Sequence, residues 1–511
     1  MTGNAAHWFV DRHIAEGRGA KTAFEEAWKG GRQLSYGALA KGAGQVADAL
    51  VRSGISREAR AAMFVLDQIE FPQIFWGTLK AGVVPVALNT LLSSDVYSAI
   101  LRDSRAAIAF VSQELWDVVA PAVQESRHLR QVVVIGSEAP EGTLSWEAFV
   151  AGTTPAETLD CSGDEIAFWL YSSGSTGAPK GVRHVHSALR QTCDTFARQV
   201  LDIQEQDKVF SAAKLFFAYG LGNGMSFPMS VGATSLLYNG RPTPDIVSHI
   251  LDTYQPTVYY GVPTLFASLL HKWETDGAPP RVPLRCCTSA GEALPAEIGR
   301  KWRDLMGLDI IDGVGSTEML HIFLSNRPGD VHYGTSGTAV PGYEVRRVDE
   351  DGTEVDTGFV GELLVRGGSA AADYWNQRDK TRRTFEGEWT RTGDKYERSA
   401  AGRFIYCGRT DDMFKVSGIW VSPFEIEQAL VEFPAVLEAA VVAHRDEDDL
   451  EKPKAFVVLK PGHGPEAVAG IRAFIKDKIG KWKYPRWIEI IDDLPKTATG
   501  KIQRFKLRSR Q

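Results

Sequence analysis

Between residues 171 and 181 the chain reads "YSSGSTGAPKG", a run whose reactive side chains are hydroxyls and one ammonium. Gly174, Gly177 and Gly181 leave backbone amides uncovered, and Ser172, Ser173, Ser175 and Thr176 add hydroxyl donors beside them. Clustered free amides and hydroxyls make a concavity suited to anions, phosphate oxygens above all. Lys180 adds a positive charge, so a nucleotide polyphosphate is the natural ligand. The Walker A loop requires Gly-Lys-Ser/Thr, whereas Lys180 follows Pro179 and precedes Gly181, which rules out that class of nucleotide triphosphatase. A dinucleotide fingerprint fails as well, because "GVGSTE" at 313–318 has Glu318 where the third glycine belongs.

Such a loop needs rigid flanks. "IAFWLY" before it has the length and aromatic content of a buried strand, and "GVRHVH" after it reads as extended. A helix is expected from about Ser187, with Leu189, Cys193, Phe196 and Val200 on one face. From 36 to 110, helical periodicities such as "YGALAKGAGQVADALVRSG" alternate with apolar runs such as "AAMFVL" and "GVVPVAL". The alternation continues through "PTVYYGVPTLFASLLHKW" and "VPLRCCTSAGEALPAEIGRKWRDL", and it predicts an α/β architecture. From about 331 to 407, short runs with Gly and Asp-Gly punctuation predict hairpins and a β-rich subdomain. After "CGRTDDMFKVSG" a small α+β unit begins: Ser422, Pro423 and Glu425 supply a cap, a first-turn proline and a capping-box acid to the helix "FEIEQALVEF". No internal repeat or low-complexity segment interrupts the pattern.

With 511 residues and 44% hydrophobic composition the chain exceeds what one core supports, so two or more domains are expected. Its net charge of -7 favours neither nucleic acid nor an anionic membrane as partner. Residues 470–511 nevertheless hold 12 Lys/Arg against 4 Asp/Glu, read as a solvated basic face or as a lobe that meets an anionic substrate. The 5 cysteines have no metal-ligand spacing, and their odd number argues against a full disulfide framework. The N-terminus carries charges where a signal peptide needs apolar residues, and no run approaches the roughly 20 apolar residues of a membrane span. The expectation is a cytoplasmic protein, for which a homodimer is compatible with the sequence.

Five ordered motifs give the chain a resemblance to the adenylate-forming enzymes, which include acyl- and aryl-CoA ligases, luciferases and peptide-synthetase adenylation domains. "YSSGSTGAPKG" resembles that family's phosphate loop, "GVGSTE" its adenine and magnesium segment, and "RTGD" at 391–394 its ribose-binding turn. "GRTDDMFKVSG" resembles its inter-domain hinge and "LPKTATGKIQR" at 494–504 its C-terminal lysine motif. The resemblance implies an N-terminal adenylation domain over 1–408 and a mobile C-terminal domain over 409–511, hinged at Asp411. It implies that Gly291, Glu292, Asp312, Gly313 and Gly315 lie on the nucleotide side with the loop, and that Asp394 and Arg409 hold the ribose. Thr317 and Glu318 are matched to catalysis, Glu318 to Mg2+, and Lys501 and Lys415 to the adenylating and thioester-forming states. ATP, Mg2+ and coenzyme A follow as cofactors and co-substrate. A carboxylate attacks the α-phosphate of ATP to give acyl-AMP and pyrophosphate, and a thiol then displaces AMP.

The carboxylate is the remaining question. Residues 209–240 contain no Asp or Glu, and the position where amino-acid-activating relatives place an Asp corresponds to Ala218. Burying an ammonium without a partner is costly, so an amino acid is disfavoured. Phe217 and Tyr219 offer apolar walls beside Gly220, with Gly291, Gly315, His321 and Ile322 on the other side. "KLFFAYGLGN" with "GSTEMLHIF" resembles the benzoate-CoA ligase branch, which implies benzoate, a hydroxy- or aminobenzoate, or another small carboxylic acid. An adenylate-binding protein without chemistry and a luciferase-like oxidative enzyme are the rivals; intact Lys501 and Lys415 argue against the first.

Overall fold

The structure is a computed structural model that describes residues 3–173, 179–416, 419–447, 450–479, 483–496 and 502–508. The chain divides into two compact units, 1–344 with 365–390, and 345–364 with 391–511.

The first unit contains two large sheets. In the eight-stranded one, Arg60–Phe64, Val84–Ala87, Ile108–Ser112 and Gln131–Ile135 run parallel, and Ile166–Ser173 joins them parallel to Val84–Ala87. Strands covered on both faces read as continuous apolar runs, which is why "AAMFVL" and "GVVPVAL" lack alternation. Helix Tyr36–Arg52 packs against helix Glu70–Lys80 in the same unit. Ser35 caps it by accepting the Ala38 amide, and Leu39, Ala43, Val46 and Leu50 recur at helical spacing on its buried face.

The nine-stranded sheet has a parallel centre of Thr234–Leu237, Lys208–Ser211, Val258–Gly261, Cys286–Ser289 and Ile310–Gly315, with Ile322–Ser325 antiparallel beside the last. Phe210, Tyr259, Phe266, Trp273 and Trp302 pack beneath it. Cys286 and Cys287 are buried here as small apolar residues, and none of the 5 cysteines forms a disulfide. No helix among the described residues is long and apolar enough to cross a membrane.

Two expectations are corrected. The stretch 331–407 is strand-rich but is not one subdomain. Thr338–Ala339 pairs with Ile322–Ser325 and Asp373–Tyr374 with Pro179–Val185, in two different sheets. Turn residues report local hairpins; they carry no information about which distant strand an edge joins. The helix after the loop starts at His186, and beyond Thr192 it continues as a π-helical segment, Cys193–Val200, that keeps Cys193, Phe196 and Val200 buried.

In the second unit, Trp389–Arg398 pairs antiparallel with Phe404–Arg409. Val436–Arg445, Glu451–Leu459 and Trp487–Ile490 form a three-stranded sheet whose core includes Ile426 and Leu430 of helix Pro423–Val431 and Ile471 and Ile475 of helix Ala467–Ile479. Ser422 caps as expected, accepting the Glu425 amide at 3.0 Å. The Glu425 carboxylate does not close the capping box; it takes Lys483 at 2.7 and 2.8 Å.

Four buried histidines make the fold acid-sensitive. Burial pushes His13, His184 and His186 down to about 4 and His321 to about 3. Each is neutral when folded and titrates near 6.5 when unfolded, so its contribution is complete above about 6.5 and is lost as pH falls towards 4, at about 1.4 kcal/mol per histidine per pH unit. Burial raises Asp67 to about 6 and pushes Asp312 well up, and both act oppositely as pH falls, but they are two groups against four. Urea midpoints measured from pH 7.5 to 5 should fall steadily; a flat profile would show that these imidazoles ionise within the fold.

Candidate active site

The strands Ile166–Ser173 and Pro179–Val185 form the hairpin that carries the loop, with Ser172 opposite Lys180. Gly174, Ser175, Thr176 and Gly177, and the side chain of Ser173, lie outside the described residues. Ser172 Oγ is buried without a partner and so remains available as a donor. Lys180 Nζ donates to Glu318 Oε1 at 2.7 Å and to the Tyr374 hydroxyl at 3.0 Å, and that hydroxyl donates to the same Oε1 at 2.7 Å. Burial alone would raise the Glu318 carboxyl; the Lys180 ammonium and then Tyr374 override it and hold it at about 2. Glu318 is therefore a partly buried, ionised oxygen donor.

Tyr374 is brought here by edge pairing, since Asp373 stands opposite Arg183 and Tyr374 opposite Val182. Arg183 clamps Asp373 with two 2.5 Å bonds. One residue further along the same strand, His184 stacks on Phe168 at 5.1 Å and places Nε2 2.9 Å from the Thr317 carbonyl. Held neutral by burial, it can donate to that carbonyl and fix the turn carrying Thr317 and Glu318.

Asp312, Gly313 and Gly315 lie on strand Ile310–Gly315. Asp312 is buried with Oδ1 unpartnered, and burial pushes its carboxyl well up. Gly315 has no room for a side chain, because a Cβ there would sit 2.4 Å from the His321 carbonyl oxygen. Gly291 needs its freedom for a different reason, a φ of 96° in open space, and the exposed Glu292 follows it.

Ala218, Tyr219 and Gly220 occupy the short helix Ala218–Leu221. The Tyr219 hydroxyl bonds Thr288 Oγ1 at 2.7 Å, and its ring lies 5.5 Å from that of His321. His321 is buried between Phe227, at 4.4 Å, and Phe196, at 5.5 Å, with Nε2 3.2 Å from Asn223 Oδ1. Burial holds the imidazole neutral, near 3, and Ile322 beside it is buried. The structure thus brings Tyr219 and His321 together, with Ile322 next in the chain, and adds Thr288, Asn223, Phe196 and Phe227 around them. The acid-free segment does meet one carboxylate, Asp67, which accepts the Leu215 amide at 3.2 and 3.3 Å.

In the second unit Asp394 stands opposite Arg409 and bonds it at 2.9 Å. Burial works against the Arg409 charge, and Asp394 more than restores it. Asp411 accepts Arg508 Nη2 at its carbonyl at 3.1 Å, while Asp412 pairs with Arg504 and Arg508. Lys415 lies in strand Phe414–Val416, but its side chain and the whole of Lys501 lie outside the described residues.

Residues 11–375 match the AMP-binding enzyme family, and residues 425–501 match the AMP-binding enzyme C-terminal domain. The chain belongs to the AMP-binding enzyme family. Within that family it is 53% identical to the 4-hydroxybenzoate–CoA/benzoate–CoA ligase of Rhodopseudomonas palustris, over 99% of this chain and 94% of that one. It is 52% identical to the benzoate–CoA ligase of Thauera aromatica, over 99% and 96%. The solved structure of a benzoate CoA ligase from Burkholderia xenovorans LB400 superposes with a TM-score of 0.89 at 47% identity, covering 99% of this chain and all of that one. These relatives put this AMP-binding enzyme in the benzoate–CoA ligase branch, among the AMP-forming acid–thiol ligases.

Proposed function

We propose that this enzyme is an ATP-dependent benzoate–CoA ligase. The observation that carries the reading is an aromatic cluster: Tyr219 pinned by Thr288 and a neutral, buried His321 between two phenylalanines, with the nearby Asp67 carboxylate bonded to Leu215. Flat apolar side chains suit an aromatic ring, and the segment 209–240 offers no Asp or Glu of its own to a substrate ammonium. A hydroxy- or aminobenzoate is a second reading, favoured by Asn223 Nδ2 and His321 Nδ1, which are buried without partners and could meet a ring substituent.

In the first half-reaction a benzoate oxygen attacks the α-phosphorus of ATP, and the bond to the bridging oxygen breaks to release pyrophosphate. In the second the coenzyme A thiol, losing its proton, attacks the acyl carbon, and AMP departs. Substrates supply both nucleophiles, so the chain contributes positioning and charge. Ser172 and Lys180 hold phosphate oxygens, Asp312 faces the adenine, and Asp394 and Arg409 hold the ribose. Glu318 fits a Mg2+ site, being an ionised oxygen ligand, and a cation bound there would neutralise charge between phosphates. Thr317 lies beside it. Lys501 serves adenylation and Lys415 the thioester-forming state. Cysteines without disulfides support a cytoplasmic location.

ATP–pyrophosphate exchange over a panel of carboxylates, with and without coenzyme A, tests this directly. Benzoate should drive exchange and, with coenzyme A, yield thioester. Tyr219→Ala should weaken benzoate use and favour bulkier acids; an unchanged substrate ranking would remove Tyr219 from the pocket. Tyr374→Phe keeps the ring and deletes the bond to Glu318. A hydrogen bond to a charged group is worth about 1.5–3 kcal/mol, so adenylation should slow roughly 10- to 100-fold. An unchanged exchange rate would show that Lys180 alone holds Glu318.

A further inference from the structure

We propose that the first unit carries a second anion site, a basic cradle at the opposite edge of the eight-stranded sheet from the phosphate loop, that binds a small anion of two or three linked phosphates. The cradle is a cavity of about 420 Å³ lined by Arg57, Glu58, Arg60, Arg105, His128 and Arg130 among others, a size typical of small-molecule sites. Its construction follows from sheet register. Arg60 opens strand Arg60–Phe64, Arg105 caps helix Ser94–Ser104 ahead of strand Ile108–Ser112, and Arg130 precedes strand Gln131–Ile135. The Ala107 amide donates to the Arg60 carbonyl and the Arg130 amide to the Ala107 carbonyl, both at 2.8 Å. Arg60 and Arg130 therefore end one hydrogen-bonded row, two strand spacings or roughly 10 Å apart. That span suits linked phosphates, with side chains reaching in from both ends.

Arg60 is held in place. It donates to the carbonyls of Ser104, Glu58 and Arg105 at 2.8, 3.1 and 3.3 Å, and its guanidinium faces Trp169 and Trp375 at 5.7 Å each. Arg57 is engaged by Glu165. Among the described residues neither Arg105 nor Arg130 makes an ion pair, and Glu58 is the acid that lines the cavity. Like charges are thus gathered without equivalent counter-charge in a chain whose net charge is -7. Burial lowers the Arg60 pKa, and Arg105 and Arg183 lower it further; a bound anion would relieve that repulsion. Among the described residues, two of the six non-glycine positions with positive φ, Glu58 at 64° and Arg105 at 52°, stand at this cavity, and backbone held in a sparsely populated region is commonly kept for a site. Planar guanidinium groups match phosphate oxygens in pairs.

The cradle is distinct from the adenylate site. Ile166–Ser173 runs parallel to Val84–Ala87, which runs parallel to Arg60–Phe64. Ser172 therefore lies towards the C-terminal edge of that sheet, and the cradle opens at its N-terminal edge.

The test is calorimetric titration of inorganic tripolyphosphate into the full-length enzyme with its adenylate site saturated by benzoyl-sulfamoyl adenosine, an adenylate mimic that carries no linked phosphates. One further site is expected, with inorganic phosphate binding it at least 10-fold more weakly than tripolyphosphate does. Arg105→Ser/Arg130→Ser should weaken tripolyphosphate binding at least 10-fold while leaving the pyrophosphate-exchange rate and thermal midpoint unchanged. Arg130→Ser alone, at an exposed residue without an ion pair, should give a smaller loss and serves if the double variant misfolds. The absence of a second site in the wild type, full affinity in a folded variant, or binding to phosphatidic acid vesicles but not to tripolyphosphate would each overturn the assignment.

Discussion

Replacing Lys501 with alanine is expected to slow acyl-adenylate formation by roughly 100- to 1,000-fold while leaving thiolysis of a supplied acyl-adenylate nearly intact. When a carboxylate approaches the α-phosphate of ATP, two anions must meet before a bond can form. An ammonium between them neutralises both, and the benefit grows as negative charge builds on the phosphoryl oxygens. A positioned donor in a water-excluded site is worth about 3 to 4 kcal/mol in the transition state. Thiolysis presents a different problem, because the acyl carbon is attacked and AMP leaves already carrying its phosphate charge. Lys501 sits in "TGKIQR" next to Gly500, and an unchanged thermal midpoint of the variant checks that the substitution leaves the fold intact. Pyrophosphate exchange and single-turnover thiolysis, measured on the same preparation, separate the outcomes. Equal losses in both would contradict a role confined to one step.

Local spacing made the two strands flanking the Gly-rich loop and the Ser422 cap legible, because each is a pattern within about ten residues whose physics is local. The aromatic cluster around Tyr219 was legible in part. Tyr219 and His321 stood in two recognisable segments, whereas Thr288 and Asn223 are ordinary polar residues until the fold sets them against those rings. Tyr374 and His184 were missed for a similar reason. Tyr374 reaches Glu318 only because a two-residue strand adds to the edge of a hairpin some 190 residues earlier in the chain, and no periodicity encodes that pairing. His184 looked like part of an extended run, and only its partner, the Thr317 carbonyl, shows what it holds. The Glu425 prediction failed because Lys483, a residue 58 positions away, offers that carboxylate a full charge where the helix terminus offers one amide.

The hinge gives the second large effect. Lys501 and Lys415 belong to the same terminal segment, yet they are matched to different half-reactions. We propose that the segment from about Asp411 onward turns between two orientations, with Asp411 absorbing the change in φ and ψ. Proline fixes φ near about -65°, so Asp411→Pro should hold one orientation. The substitution is compatible with the turn as it stands. Asp411 is not among the residues with positive φ, and the turn's hydrogen bonds come from the amides of Asp412 and Met413, both donating to the Arg409 carbonyl at 3.0 Å. The side chain it removes is not the one that pairs with Arg504 and Arg508; that is Asp412. A folded Asp411→Pro enzyme should therefore keep much of its adenylation rate and lose most thioester formation, provided the fixed φ suits the adenylating orientation. Lys415→Ala should give a milder version of the same split, since it removes one charge and leaves the turning intact. Separate rates for the two half-reactions decide between mechanisms. Full coenzyme A transfer by the proline variant would mean that one orientation serves both steps and that Asp411 is an ordinary linker residue.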